Sequence, residues 1–302
     1  RLIYKDVIKR NDFPILLTTH STHITSVAPI KSLVHLRQKG GSTVAHSTAD
    51  MPMASGEFLD VERYLDVKRG EIFLGKAVLL VEGITEEYVI PKLAEKLGMP
   101  LDEKGIIVCN INCTNFKPYI KMLRALCIPY AVITDGDFYT IKKEEMADPE
   151  EDENKRNYHV MEKDVTDDVA SGYLGLENAN RIAIALEDSV PENCVERQFL
   201  EDRGYFVGKY TFEVDMMEQT STDEGIKAII EAFNCLLDNE CRKNKFKNKL
   251  TDGDYEFCLR RIEDQSIGKG RYAQIFSGTC LADNCPEYVH KALNYIYAKV
   301  DE

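Results

Sequence analysis

The chain has 302 residues, 44% of them hydrophobic, which is enough for one large domain or two ordinary ones. Lys and Arg total 38 against 51 Asp and Glu, a net charge of −13, so bulk charge argues against a nonspecific nucleic-acid coat. No apolar run approaches the roughly 20 residues of a membrane span, and no signal peptide stands at this start. The first residues read as mid-domain, so the chain is expected to be a fragment of a longer protein. Nine cysteines, none in a CxxC pair, read as reduced thiols in a cytoplasmic protein. Cys109 and Cys113 could form half of a zinc site, but no second half is evident, and buried cysteines are the plainer reading.

In chain order, "FPILLTT" at 13–19 and "SLVHLRQ" at 32–38 predict short strands, and helical spacing runs through 55–75. "KAVLLVEG" at 76–83 predicts a strand buried on both faces, because its apolar character is unbroken. "TEEYVIPKLAEKLG" then predicts a helix, capped by Thr85 and ended by Gly98, with Pro91 expected to kink or restart it. A strand at 105–111, a helix at 116–127 and the strand "PYAVITDGD" follow. This β-α-β-α-β succession implies a parallel sheet.

From 138 to about 180 the chain is polar, and "EEMADPEEDE" at 144–153 has seven acids in ten residues, as a solvated loop would. The segments 181–186 and 205–216 look extended. Residues 222–245 predict one amphipathic helix, opened by Thr222 and closed by bases that suit its C-terminal dipole. Short helices are expected at 268–277 and 286–300. The fold class expected is α/β: a parallel sheet flanked by helices within 76–218, with an acidic insertion at about 138–180, and a further helical region over 219–302.

The chemistry is expected where two strands end. Ligands of parallel sheets bind at the carboxyl ends of the strands. Glu82 ends one strand, and Asp135 and Asp137 end another 53 residues later. If those strands are neighbours, three carboxylates meet on one rim. Glu86, in the first turn of the following helix, can lean toward it. Asp135 and Asp137 are two apart and would point the same way in extended backbone, with Gly136 allowing a close approach. Crowded carboxylates repel unless a cation intervenes, and an all-oxygen cluster suits Mg²⁺ or Mn²⁺. Two such ions about 4 Å apart can bind the attacking and the leaving oxygen of a phosphodiester.

These residues carry a resemblance. "VEGITEE" followed by "ITDGD" resembles the Toprim domain of topoisomerases, primases and nucleases. The form "LLVEGITEEYVIPKLAEKLG" is similar to the OLD (overcoming lysogenization defect) family of ATP-dependent endonucleases, to which the Gabija nuclease is related. "LLTTHSTHI" at 16–24 resembles the last strand and histidine loop of an ABC-type ATPase, so residues 1–70 would be a remnant of that domain and its connector. "GKGRYAQ" at 268–274 resembles the family's late lysine motif, and "TFEVDM" at 211–216 its later acidic motif. No Walker A sequence is present.

The resemblance implies that Glu82, Glu86, Asp135 and Asp137 bind metal, that Glu213 and Asp215 complete a second ion, and that Lys269 stabilises the transition state. His20 would sense ATP, and only in a full-length protein. Glu213 and Asp215 could equally be surface strand acids, and Lys269 a plain turn lysine. The bases Arg242, Lys243, Lys245, Lys247 and Lys249 are either a solvated helix end or a DNA-facing patch. The expected function is a two-metal DNA endonuclease in phage defence or DNA processing, acting on DNA, with a homodimer or higher homo-oligomer and a helicase-type partner implied and no membrane. A Toprim topoisomerase or primase, or a silent module using helices 222–245 and 286–300 to dimerise, are the alternatives.

Overall fold

The computed structural model describes residues 16–64, 69–142, 169–186 and 197–301. Residues 16–21 carry no regular element, and a single helical turn, α1 (Thr22–Thr25), follows them. β1 (Val34–Lys39) and β2 (Ser42–Ser47) form an antiparallel hairpin. It is tied down by Arg37, which donates to the Cys127 carbonyl at 2.6 Å. α2 (Ser55–Tyr64) is next. The single helix expected over 55–75 is shorter than that, since residues 69–73 form a separate 3₁₀ segment.

The sheet then builds up through β3 (Ala77–Val81), α3 (Ile84–Lys96), the short α4 (Leu101–Lys104), β4 (Ile106–Asn110), α5 (Lys117–Ala125) and β5 (Tyr130–Thr134). A hairpin of β6 (Phe138–Lys142) and β7 (Val169–Tyr173) leads into α6 (Leu174–Leu186), α7 (Arg197–Glu201) and β8 (Tyr205–Val207). The strand order is β4-β3-β5-β8, each parallel to its neighbour. β3 and β5 are therefore adjacent, as the meeting of their terminal acids requires.

Every residue of β3 is buried, and alternation decides what each touches. Ala77, Leu79 and Val81 join a cluster with Val89 and Leu93 of α3 and with the late helices, while Val78 and Leu80 join Ile120 and Leu123 of α5 and Phe58 of α2. A strand covered on both faces gains nothing from polar residues, which is why its sequence reads as one apolar block. α3 runs unbroken through Pro91.

The remaining helices are α8 (Phe212–Gln219), α9 (Asp223–Asn234), α10 (Glu240–Thr251), α11 (Tyr255–Glu263), α12 (Lys269–Thr279) and α13 (Glu287–Asp301). Apolar residues of α9, α12 and α13 share one cluster with Leu79 and Val81 of the sheet. No helix among the described residues is long and apolar enough to cross a membrane.

The strand expected at 13–19 is irregular over its described residues 16–19, and three further expected elements differ. Residues 181–186 are the end of helix α6, because Ala179, Ile182 and Ala183 are buried at helical spacing while Ile184 is 59% exposed. The extended stretch 205–216 shrinks to β8 plus the first half of α8. The helix expected over 222–245 is two helices. Asn239 accepts from the Arg242 amide at 3.0 Å and starts α10 afresh. The chain folds back there so that Phe233 of α9 and Phe246 of α10 stack at 3.7 Å. α11 was not foreseen. Its start is the Asp254 cap, which accepts from the Phe257 amide. The acidic stretch at 144–153 and the strand residues 13–15 lie outside the described residues.

Candidate functional site

β3 and β5 end side by side, and their last residues are hydrogen-bonded to each other. Glu82 follows Val81, and its Oε1 accepts from the Thr134 hydroxyl and from the Asp135 amide at 3.2 Å. Asp135 is held in turn by the Phe212 amide, which donates to its Oδ1 at 2.8 Å. That bond brings the N-terminus of α8 to the rim. Gly136 makes it possible: a Cβ there would lie 2.4 Å from the carbonyl oxygens of both Gly208 and Lys209, so no other residue lets the 208–210 loop pass so close. The Gly136 amide donates to the Tyr210 carbonyl at 2.7 Å, which closes the loop onto the strand end.

α3 and α8 supply the second half. Glu86 is buried in the first turn of α3. Glu213, in the first turn of α8, is 2% exposed and accepts from the Thr85 hydroxyl at 2.6 Å. Lys269 stands at the first position of α12, after Gly268 with φ 79°. Its Nζ lies 3.4 Å from Glu213 Oε2 and 3.2 Å from Glu263. Lys269 thus bridges an acid of α8 and an acid of α11, beside the acids at the ends of β3 and β5 and in α3.

The electrostatics follow from crowding and burial. Burial, opposed by the Thr134 hydrogen bond and aided by Asp137, pushes the Glu82 carboxyl up to about 7. Burial and then the Glu213 charge push Glu86 up to about 8. Asp135 is raised well above the usual carboxylate range by burial and by Glu86, Glu82 and Glu213. Burial alone would lower the Lys269 ammonium, but Glu213, Glu263 and Asp135 carry it above its ordinary value, so it stays charged.

The predicted site residues thus divide. Glu82, Glu86, Asp135, Glu213 and Lys269 interact with one another. Asp137 stands at the exposed edge of the same group: its φ of 46° turns the backbone out of the extended run, while its charge still acts on Glu82 and Asp135 and feels that of Lys269. Asp215 does not face the other acids. It is fully buried and its carboxylate accepts from the Lys209 amide at 2.9 Å and the Tyr210 amide at 3.1 Å. Burial pushes it up to about 6, against those two bonds. Its role here is to hold the loop that Gly136 admits. His20 is exposed in the irregular stretch before α1. The five bases of 242–249 all lie on α10, from its first turn onward instead of at a helix end.

Sequence reasoning missed Thr134, Thr85 and Glu263. Thr85 was expected to cap α3, but Gly83 stands at that position and Thr85 serves Glu213. A threonine closing an otherwise apolar buried strand, as Thr134 does, was the available signal. As the side chains stand, no three His, Cys, Asp or Glu residues among those described form a group able to hold a metal ion. The donor set still fits a hard cation in kind. It is all oxygen and crowded, and burial together with mutual repulsion raises Glu82, Glu86 and Asp135, a cost that a cation would relieve.

Residues 73–137 match the Overcoming lysogenization defect protein-like TOPRIM domain. The C-terminal region of the Burkholderia pseudomallei OLD protein superposes with a TM-score of 0.57 at 28% identity, over 75% of this chain and 98% of that one. Residues 73–137 carry an OLD-like TOPRIM domain, and the fold around it is similar to the C-terminal regions of OLD proteins. The corresponding region of the Xanthomonas campestris pv. campestris OLD protein gives a TM-score of 0.57 at 26% identity, over 76% of this chain and 96% of that one. The Escherichia coli (strain K12) "Uncharacterized protein YbjD" is 27% identical over 122 residues, 40% of this chain but only 22% of YbjD. The OLD Toprim assignment supports a nuclease or other Toprim-type function.

Proposed function

We propose that this Toprim region is a divalent-metal-dependent DNA endonuclease. The observation that carries the reading is the crowding of Glu82, Glu86, Asp135 and Glu213 at the carboxyl edge of the sheet, with the charged Lys269 paired to Glu213 at its side. Glu82, Glu86 and Asp135, with Asp137 at the exposed lip, would hold Mg²⁺ or Mn²⁺, and Glu213 would serve a second ion. Such ions, when bound, supply Lewis-acid stabilisation and an activated water at a phosphate.

The chain's own groups prepare that chemistry. Thr134 and the Asp135 amide orient Glu82, the Phe212 amide orients Asp135, and Thr85 orients Glu213. Lys269, braced between Glu213 and Glu263, offers a fixed positive charge to a phosphate oxygen as it gains charge. The bases of α10 would meet the DNA. Any ATP dependence, with His20 as sensor, would belong to a longer protein, as would a helicase-type partner and a role in phage defence. The silent-module alternative is weakened by packing, because the apolar faces of α9 and α13 are spent inside this chain.

Plasmid nicking in Mg²⁺, Mn²⁺ and EDTA tests the reading. Glu82→Gln and Asp135→Asn keep hydrogen-bond acceptors for Thr134 and the Phe212 amide, so the fold should persist while metal-dependent nicking is lost. Wild-type rates in either variant would end the proposal, as would nicking by the wild type in EDTA.

A further inference from the structure

Three cations surround the ring of Phe257 on α11. Lys245 Nζ lies 5.2 Å, Lys249 Nζ 5.9 Å and the Arg261 guanidinium 5.1 Å from its centroid. Cations gathered around one ring are each drawn to its π-face but repel one another. Counter-charge is only partly supplied. Lys249 has Asp254 at 2.9 Å. Arg261 has Asp264 at 3.8 Å, and that carboxylate is already engaged by the Ser266 amide at 2.9 Å and hydroxyl at 2.7 Å. Among the described residues no acid lies within ion-pair distance of Arg242 or Lys245, although the Asp264 carboxylate feels the Arg242 charge. In a chain of net charge −13 this local excess of positive charge runs against the average.

The excess borders a small cleft. Arg242, Lys245, Arg261, Asp264 and Ser266 rim a hollow of about 20 Å³ beside α10 and α11 whose floor is apolar, with Phe233, Leu237, Phe257 and Ile267, room for a water or an anion's oxygen at its polar rim. Helical phase selects its members. Arg242, Lys245 and Lys249 fall on one stripe of α10, whereas Lys243 and Lys247 fall on another. Arg261 reaches the cleft from α11, a helix the charge run at 242–249 gave no hint of. Ser266 is three residues before Lys269, so their backbones lie within about 11 Å of each other.

We propose that Arg242, Lys245 and Arg261 form a seat for one backbone phosphate of the DNA strand presented to Lys269. This rests on the nuclease reading above and narrows the DNA contact from a diffuse basic helix to a three-cation notch shared by two helices. Guanidinium and ammonium groups at the rim of one cleft suit a phosphate's oxygens, and two elements fix their spacing. A seat of this kind holds any sequence, since it touches no base edge.

The test is fluorescence anisotropy with a short labelled duplex in EDTA at several salt concentrations, which reads binding without cleavage. Arg261→Gln and Lys245→Gln should each weaken binding about three- to tenfold and lower the salt slope by about one. Lys227→Gln removes an equal charge from exposed α9 and should leave binding within twofold. Unchanged affinity in Arg261→Gln, or an equal loss in Lys227→Gln, would overturn the seat. Plasmid nicking in Mn²⁺ is measured separately on the wild type. If the wild type does not nick while Arg261→Gln still loses affinity, the nuclease reading falls and the phosphate seat stands.

Discussion

Lys269 is the residue whose surroundings separate catalysis from architecture most clearly. It lies between Glu213, which is 2% exposed, and Glu263, which is largely in solvent. In the DNA-free protein it neutralises Glu213, a task that an uncharged chain of similar shape cannot perform. Lys269→Met should therefore lower single-turnover cleavage at saturating DNA by on the order of 10²-fold or more, the loss seen when one preorganised charge is removed from a developing oxyanion. Affinity measured in EDTA should change little, because the notch on α10 and α11 is intact. A lysine that merely anchored phosphate would give the opposite split, weak binding and normal turnover once DNA is saturating. Quench-flow cleavage beside anisotropy distinguishes the two.

Among the elements, the 208–210 loop decides whether the rim exists. It is pinned from one side by Asp215, which accepts from two of its amides, and from the other by Gly136, whose amide donates to Tyr210. Gly136→Ala would drive a methyl to 2.4 Å from two backbone carbonyls, neither the free end of a flexible side chain. The expected cost is about 3 kcal/mol or more, since the loop and strand must part. Gly56→Ala, in α2 with open space around it, should instead be neutral or stabilise by up to about 1 kcal/mol. Urea unfolding midpoints compare them, and a Gly136→Ala midpoint equal to wild type would refute the close-packing account.

The same loop explains what the sequence made legible. The β3, β4 and β5 strands could be read because burial on both faces leaves an unbroken apolar run, and Glu82 and Asp135 because they end such runs. The geometry of Asp137, Asp215 and Glu213 could not. It depends on a contact between residues 77 positions apart, Phe212 and Asp135, and local periodicity carries no trace of such a contact. The break between α9 and α10 was hidden for a similar reason: an aromatic stack across the turn outweighs helical continuity.

At the scale of the whole molecule, the acid cluster stores a cost of burial and repulsion that pH and cations should reveal. Glu86 has a folded pKa of about 8 against an ordinary value of 4.5, and Glu82 about 7. Between the ordinary and the folded values the folded protein binds more protons than the unfolded chain, so its stability falls as pH rises through that window. The contribution is fully present below the ordinary value and gone above about 8. The net charge of −13 adds self-repulsion of the same sign, so the wild-type slope alone does not isolate the cluster. Glu86→Gln does. The amide is neutral throughout and nearly the same size, so at about pH 8 the metal-free variant should exceed wild type by on the order of a few kcal/mol, and by much less near pH 5. Mn²⁺ should then raise the melting temperature of wild type more at about pH 8 than near pH 5, because ions bind the deprotonated carboxylates, and should raise that of Glu86→Gln less. Scanning calorimetry in EDTA and in Mn²⁺ at both pH values provides the comparison. A Glu86→Gln protein no more stable than wild type at about pH 8 would mean that Glu86 is not charged against its neighbours in the folded chain, and the cluster would lose its electrostatic reason to bind a cation.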